Sequence, residues 1–176
     1  MSGLPGSGKS TLAGRIAEAL ELPLLDKDRY LEELFRVRGA GDAAWRRALS
    51  RESDSILQAE ATASNGAVLV SHWRLPGMAE GSGTPWEWVS GLSRRVVHVH
   101  CACDPEVAAR RFFERRRHVG HGDEERPFAA VLASIRETAS LGIPELHPVV
   151  SADTSGPVNF EAVMGAVREN LAGFGQ

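Results

Sequence analysis

The residues Gly3 to Ser10, in the order GLPGSGKS, restrict what this chain can fold into more than any other stretch. They fit G-x-x-x-x-G-K-[ST] at every specified position. Glycines at 3, 6 and 8 let the backbone bend closely enough for successive amide hydrogens to face phosphate oxygens. A helix that follows adds the positive end of its dipole. Lys9 then reaches the β- and γ-phosphates of a nucleotide, and the Ser10 hydroxyl is placed to ligate magnesium. The alternative is a glycine-rich turn that binds no nucleotide, but at average residue frequencies a chance match arises on the order of 1% of the time or less. The required helix is present in the pattern, because KSTLAGRIAEAL, residues 9 to 20, puts Leu12, Ile16, Ala19 and Leu20 on one stripe.

The rest of the chain alternates strand and helix signals. LPLLDKD predicts a buried strand that delivers Asp26 and Asp28 to its carboxyl end. RYLEELFRVR and DAAWRRALSRESDSILQAEATAS predict helices separated by the Gly39–Gly41 break, with Asp42 capping the second. AVLVSHW and RVVHVHCAC predict two further strands. Between them, LPGMAEGSGTPWEWVSGLS predicts a surface loop with a short helix near Trp86 to Ser90. Asp104-Pro105 predicts the cap and first position of a helix running through EVAARRFFERRR. HVGHGDEERP lacks apolar periodicity and predicts a mobile lid over about 116–127. The helix FAAVLASIRETAS, the short strand and turn in HPVVSADTSGP, and the helix VNFEAVMGAVREN complete the chain. This order predicts an α/β layer fold with a mainly parallel sheet in a single domain spanning 1–176.

Composition narrows the partners. At 176 residues and 43% apolar content the chain is long enough to bury a real core. A formal charge of -3 supplies no overall field for gripping a polyanion, which makes nucleic acid a secondary expectation. No apolar run approaches the roughly 18 residues that span a bilayer, and no signal-peptide order is present. The expectation is a soluble cytoplasmic protein with no membrane partner. Cys101 and Cys103 alternate onto one strand face and His98 and His100 onto the other, so these four cannot converge on zinc, and core packing is expected.

GLPGSGKST, followed by LDKD and then by DPEVAARRFFERR and a His/Gly-rich flap, resembles the small P-loop kinases of the shikimate kinase, gluconate kinase, chloramphenicol phosphotransferase and zeta-toxin type. The resemblance follows the order of elements along nearly the whole chain, with the glycine loop its most diagnostic part. It implies a three-layer P-loop NTPase fold, ATP and Mg2+, and transfer of the γ-phosphate to a hydroxyl of a small molecule. Gly3, Pro5, Gly6, Ser7, Gly8, Lys9, Ser10 and Thr11 are the implied nucleotide contacts. In such kinases an acidic residue after the P-loop helix serves the acceptor hydroxyl or magnesium. Asp26 is accordingly the expected base or metal-shell residue beside Ser10, and Asp28 the expected substrate contact, with a solvated helix cap as the alternative for Asp28. Arg111 and Arg115 match an R-x-x-x-R pattern in which one arginine lies by adenine and the other, here Arg115, reaches the transferring phosphoryl group. A solvated basic face is the alternative there; His118 and His121 flank the flap, where metal binding is open but needs other ligands that the sequence does not show. The turn at Thr154 and Gly156 corresponds to the backbone that wraps adenine.

The match departs at two places. Many P-loop enzymes carry an aspartate where AVLVSHWRLP has Ser71. His72, Trp73 and Arg74 there are candidate acceptor contacts, Arg74 for an anion and Trp73 for a flat or sugar-like face, against a bland reading of Trp73 as core and Arg74 as exposed. In similar kinases some four to six apolar residues also precede the loop, consistent with ordinary strand lengths. Only Met1 and Ser2 do so here, so the first strand reads as truncated and the natural chain is expected to start earlier. Two other functions compete with a small-molecule kinase. One is a module that hydrolyses or senses ATP without an acceptor, and the other is a nucleic-acid end kinase using the arginines between Arg110 and Arg126.

Overall fold

The computed structural model describes residues 1–79, 81–92, 95–115, 118–121 and 126–173. Every pairing within its sheets is parallel. β1 (Ser2–Gly3), β4 (His98–Ala102) and β5 (Val149–Asp153) form one three-stranded piece in the order β1-β4-β5. β2 (Leu24–Asp26) and β3 (Val68–Val70) form a second piece, with Asp26 opposite Val70. The two meet at Met1, whose amino group donates to the Leu69 carbonyl at 2.8 Å.

Parallel strands need covered faces, and helices supply them. Leu12, Ala13, Ile16 and Ala17 of α1 (Lys9–Leu20) pack with Val68, Val70, Val99, Val150 and, from α7 (Phe160–Gly173), Met164 and Val167. The opposite side holds two smaller clusters. Leu25, Trp73, Val89 and Leu146 pack on Leu57 and Ala61 of α3 (Ala43–Ala63). Leu4 packs on Ala108 and Ala109 of α5 (Pro105–Glu114) and on Val131 and Ile135 of α6 (Phe128–Ser140). α2 (Lys27–Arg38) lies along α3 through Leu31, Leu34, Phe35 and Leu49. The short α4 (Val89–Leu92) completes the set. Among the described residues no helix is long and apolar enough to cross a membrane.

Local signals explain most boundaries. Asp42 caps α3 by accepting from Trp45 N, and Asp104 caps α5 by accepting from Glu106 N and Val107 N, with Pro105 next. The ends of α1 and α6 fall where the periodicity stops. Other expectations need correction. The cap of α2 is Asp26, which accepts from Asp28 N at 3.0 Å, so Asp28 lies in the first turn and is not the cap. AVLVSHW pairs only over Val68–Val70, because beyond it Thr84 N donates to the His72 carbonyl and Arg74 N to the Thr84 carbonyl, which turns the chain out of the sheet. The helix expected near Trp86 to Ser90 lies at Val89–Leu92.

His98 and His100 do share a face, and their partner is Ser2. A carbonyl only accepts, so His98 Nδ1–H donates to Leu146 O, and Nε2 is left to accept from the Ser2 hydroxyl at 2.6 Å. Ser2 Oγ in turn accepts from His100 Nδ1 at 2.9 Å. His98 is neutral in this chain of bonds, and burial lowers the pKa of His100.

Candidate active site

The carboxyl ends of β1, β2 and β3 open into one cavity of about 620 Å³. One end is the glycine loop. Gly8 stands at φ 80° as it turns into α1, a left-handed conformation that favours glycine. At Gly6 a Cβ would lie 2.1 Å from the Ala108 carbonyl oxygen, so only glycine lets the loop approach α5 this closely. Pro5, Gly6, Gly8, Lys9, Ser10 and Thr11 line the cavity. Gly3 pairs with Cys101 in the sheet, and Ser7 is fully buried with its hydroxyl unpartnered, so neither presents a side to it. Lys9 Nζ donates to the Leu4 carbonyl at 3.3 Å, and burial pushes its pKa below the usual range against the opposing charge of Asp28.

Ser10 Oγ donates to Asp26 Oδ2 at 2.7 Å. With Oδ1 taken by Asp28 N, both Asp26 oxygens are engaged, and burial raises its pKa above the ordinary carboxylate value. Asp28 lines the cavity two residues further on, in the first turn of α2. His72 lines it from the end of β3, and burial, reinforced by the Lys9 charge, lowers its pKa to about 4. Among the described residues no group of three or more His, Cys, Asp or Glu side chains is gathered to hold a metal ion.

Arg111, Phe112 and Arg115 bring α5 to the glycine-loop end. Arg111 donates to the Thr154 and Ser155 carbonyls at 2.6 and 2.9 Å, while Arg115 lies over the Phe112 ring. Thr154 is buried with its hydroxyl donating to the Ala102 carbonyl, so Thr154 and the neighbouring Gly156 form a turn beside Arg111 and not part of the cavity wall. Two expected acceptor contacts are corrected. Trp73 is 4% exposed and donates through Nε1 to the Met1 carbonyl, and Arg74 Nε donates to the Ser82 carbonyl; neither lines the cavity.

The second end of the cavity was not anticipated. Lys27, Arg46, Arg47 and Ser50 line it together with Leu31 and His121. One signal lay in the helix register, since Arg46, Ser50 and Asp54 are spaced by four and the same face continues into Leu57 and Ala61 of the core. Of the expected lid, 116, 117 and 122–125 lie outside the described residues. Its central turn (Val119–His121) packs on α2: His118 stacks on Phe35, His121 meets Phe35 edge-on and Glu32 Oε1 at 3.1 Å, and Arg46 donates to the His121 carbonyl.

Comparison with known proteins agrees with this fold. The AAA domain family matches residues 1–141. The chain is 40% identical over 72 residues to a shikimate kinase from Corynebacterium jeikeium (strain K411), a stretch covering 38% of this chain and 36% of that protein, so it spans about a third of the curated relative's length. A putative kinase from Chloroflexus aurantiacus J-10-fl superposes with a TM-score of 0.77 at 25% identity, covering 97% of this chain and 96% of that one. Shikimate kinase from Bacteroides thetaiotaomicron shares the fold, with a TM-score of 0.62 at 20% identity over 97% of this chain and 96% of that one.

Proposed function

The chain belongs to the AAA domain family, and from that premise we propose that it is an ATP-dependent phosphotransferase acting on a hydroxyl group of a small molecule. The observation that carries this reading is one cavity with phosphate-cradling backbone at one end, a separate set of polar side chains at the other, and Asp28 on its wall. A site for ATP alone would need only the first.

In this reading the loop amides and Lys9 hold the phosphates, and Arg115 meets the charge that spreads over the transferring phosphoryl oxygens. Ser10 and Asp26 fit a magnesium ion, because they bring a hydroxyl and a carboxylate oxygen within 2.7 Å of each other, a small oxygen set that phosphates and waters complete. When bound, magnesium neutralises phosphate charge. With Asp26 assigned to magnesium, Asp28, which lines the cavity from the first turn of α2, is the carboxylate assigned as base. The acceptor oxygen forms a bond to the γ-phosphorus as the bond to the ADP oxygen breaks, and the hydroxyl proton passes to Asp28. Arg111 and the turn at Thr154 and Gly156 border the adenine side.

Incubation of the protein with γ-labelled ATP and a panel of hydroxylated metabolites, shikimate and gluconate among them, tests the reading. Label in an organic product supports it. Release of inorganic phosphate alone, unchanged by every acceptor, would replace it with the hydrolysing module.

A further inference from the structure

Asp54 is a partly buried carboxylate, its side chain 20% exposed, that the transfer chemistry does not use. Its Oδ1 accepts from Thr84 Oγ1 at 2.7 Å and lies 3.9 Å from Lys27 Nζ, which itself donates to Ser50 Oγ at 2.6 Å. An ionised carboxylate only accepts, so the Thr84 proton is committed to Asp54, and Thr84 Oγ1 receives the proton of Ser71. Thr84 and Ser71 are 2% and 4% exposed, so this directed chain of hydroxyls is shielded from water.

Three walls of the cavity converge on that one carboxylate. Lys27 belongs to the first turn of α2 and Ser71 follows the end of β3. Thr84 closes an excursion that includes 75–79 and 81–83, because its amide and carbonyl both bond to the chain at His72 and Arg74. That excursion contributes Gly81 and Ser82 to the cavity. Lys27 lines the cavity with a side chain only 12% exposed. An ammonium has three donors. Ser50 takes one, and Asp54 sits at ion-pair distance and beyond hydrogen-bond length, so Lys27 keeps donors for an oxygen atom in the cavity.

We propose that Asp54 is a positioning residue that sets the acceptor subsite: it holds the Lys27 ammonium, which contacts an acceptor oxygen, and through Thr84 it holds the neighbouring Gly81 and Ser82, which line the same cavity. The proposal rests on the phosphotransfer reading for its kinetic part and stands apart from it for its structural part.

Two measurements separate these parts. The first needs no acceptor: hydrogen–deuterium exchange on the ligand-free protein, comparing wild type with Asp54→Asn and Thr84→Val. Both variants should speed exchange in peptides covering 75–84 by about tenfold, the scale of one lost buried hydrogen bond, with β4 and β5 unchanged. Unchanged exchange at 75–84 in both, or equal loosening of β4 and β5, would overturn the role of Asp54. The second uses whichever panel compound is phosphorylated. Lys27→Met and Asp54→Asn should each raise the acceptor KM by about tenfold, with the KM for ATP within about twofold, as expected for loss of one charge-assisted contact. The double variant should be no worse than either single one. Additive effects, or an ATP KM that rises equally, would overturn it. If no panel compound is phosphorylated, the phosphotransfer reading fails and the exchange result alone decides on Asp54. Should Asp54→Asn not fold, Thr84→Val carries the exchange measurement and Lys27→Met the kinetic one.

Discussion

At one end of the cavity Pro5, Gly6, Gly8, Lys9, Ser10 and Thr11 come from a single run of chain whose glycines bring the backbone to the surface. At the other end Lys27, Ser50, His72 and Ser82 arrive from α2, α3, the end of β3 and a loop, and they act through side chains. The first kind of construction tolerates no change of backbone shape but little depends on distant residues. The second depends on tertiary contacts, and each contribution is replaceable. On the proposed reading, the same contrast lets one end announce a reaction type while the other is free to specify an acceptor.

The largest effect is therefore expected at the loop. Lys9→Met should lower ATP-dependent turnover by roughly 100-fold or more, since it removes the cation facing the phosphates from a water-poor site. A smaller loss would mean that the loop end is as redundant as the acceptor end. Gly6→Ala comes next. Its Cβ would meet the Ala108 carbonyl, so loop and α5 must separate, and ATP affinity measured by calorimetry should fall by about tenfold, together with a melting temperature lowered by a few degrees.

The pH dependence of stability is intermediate in size. Burial lowers the His98 pKa to about 4, whereas the unfolded ring titrates near 6.5. The unfolded state thus binds more protons between these values. The stabilisation from a neutral His98 is complete above about 6.5 and is lost as pH falls towards 4, by at most about 1.4 kcal/mol per pH unit. Asp26 and Asp54, whose pKa values burial raises, act with the opposite sign. Comparing urea unfolding of wild type and His98→Asn at pH 5 and pH 7 isolates the histidine, and the variant should show the flatter profile. The smallest effect is expected at Arg74→Ala. Because Arg74 bonds to the Ser82 carbonyl and does not line the cavity, acceptor KM should change by less than about threefold. A larger rise would return Arg74 to the acceptor end.

Legibility in the sequence follows the same division. The glycine loop, α1, α6 and the caps Asp42 and Asp104 were readable because each is decided by neighbours in sequence. The shortness of β3 was not, since the residue that ends it, Thr84, lies beyond a loop without periodicity. For Trp73 the sequence leaves a stacking surface and a core position equally open, because what decides it is burial and an indole bond to Met1, a partner 72 positions away. The Lys27, Arg46, Arg47 and Ser50 part of the cavity was not legible for a related reason: a lysine between two aspartates and two adjacent arginines on an amphipathic helix carry no diagnostic chemistry, and only the packing of α2 on α3 turns them to one cavity.

The central claim is that the two ends of the cavity serve two different substrates and that Asp28 couples them. ADP formation measured against acceptor concentration, in wild type and Asp28→Asn with ATP binding followed in parallel, tests it most directly. The account predicts acceptor-dependent ADP formation that falls by about 100-fold or more in the variant while ATP affinity stays within about twofold, as for loss of a group acting only in the transition state. Acceptor-dependent ADP formation at the wild-type rate in Asp28→Asn, or ADP formation that no acceptor stimulates in either protein, would contradict it.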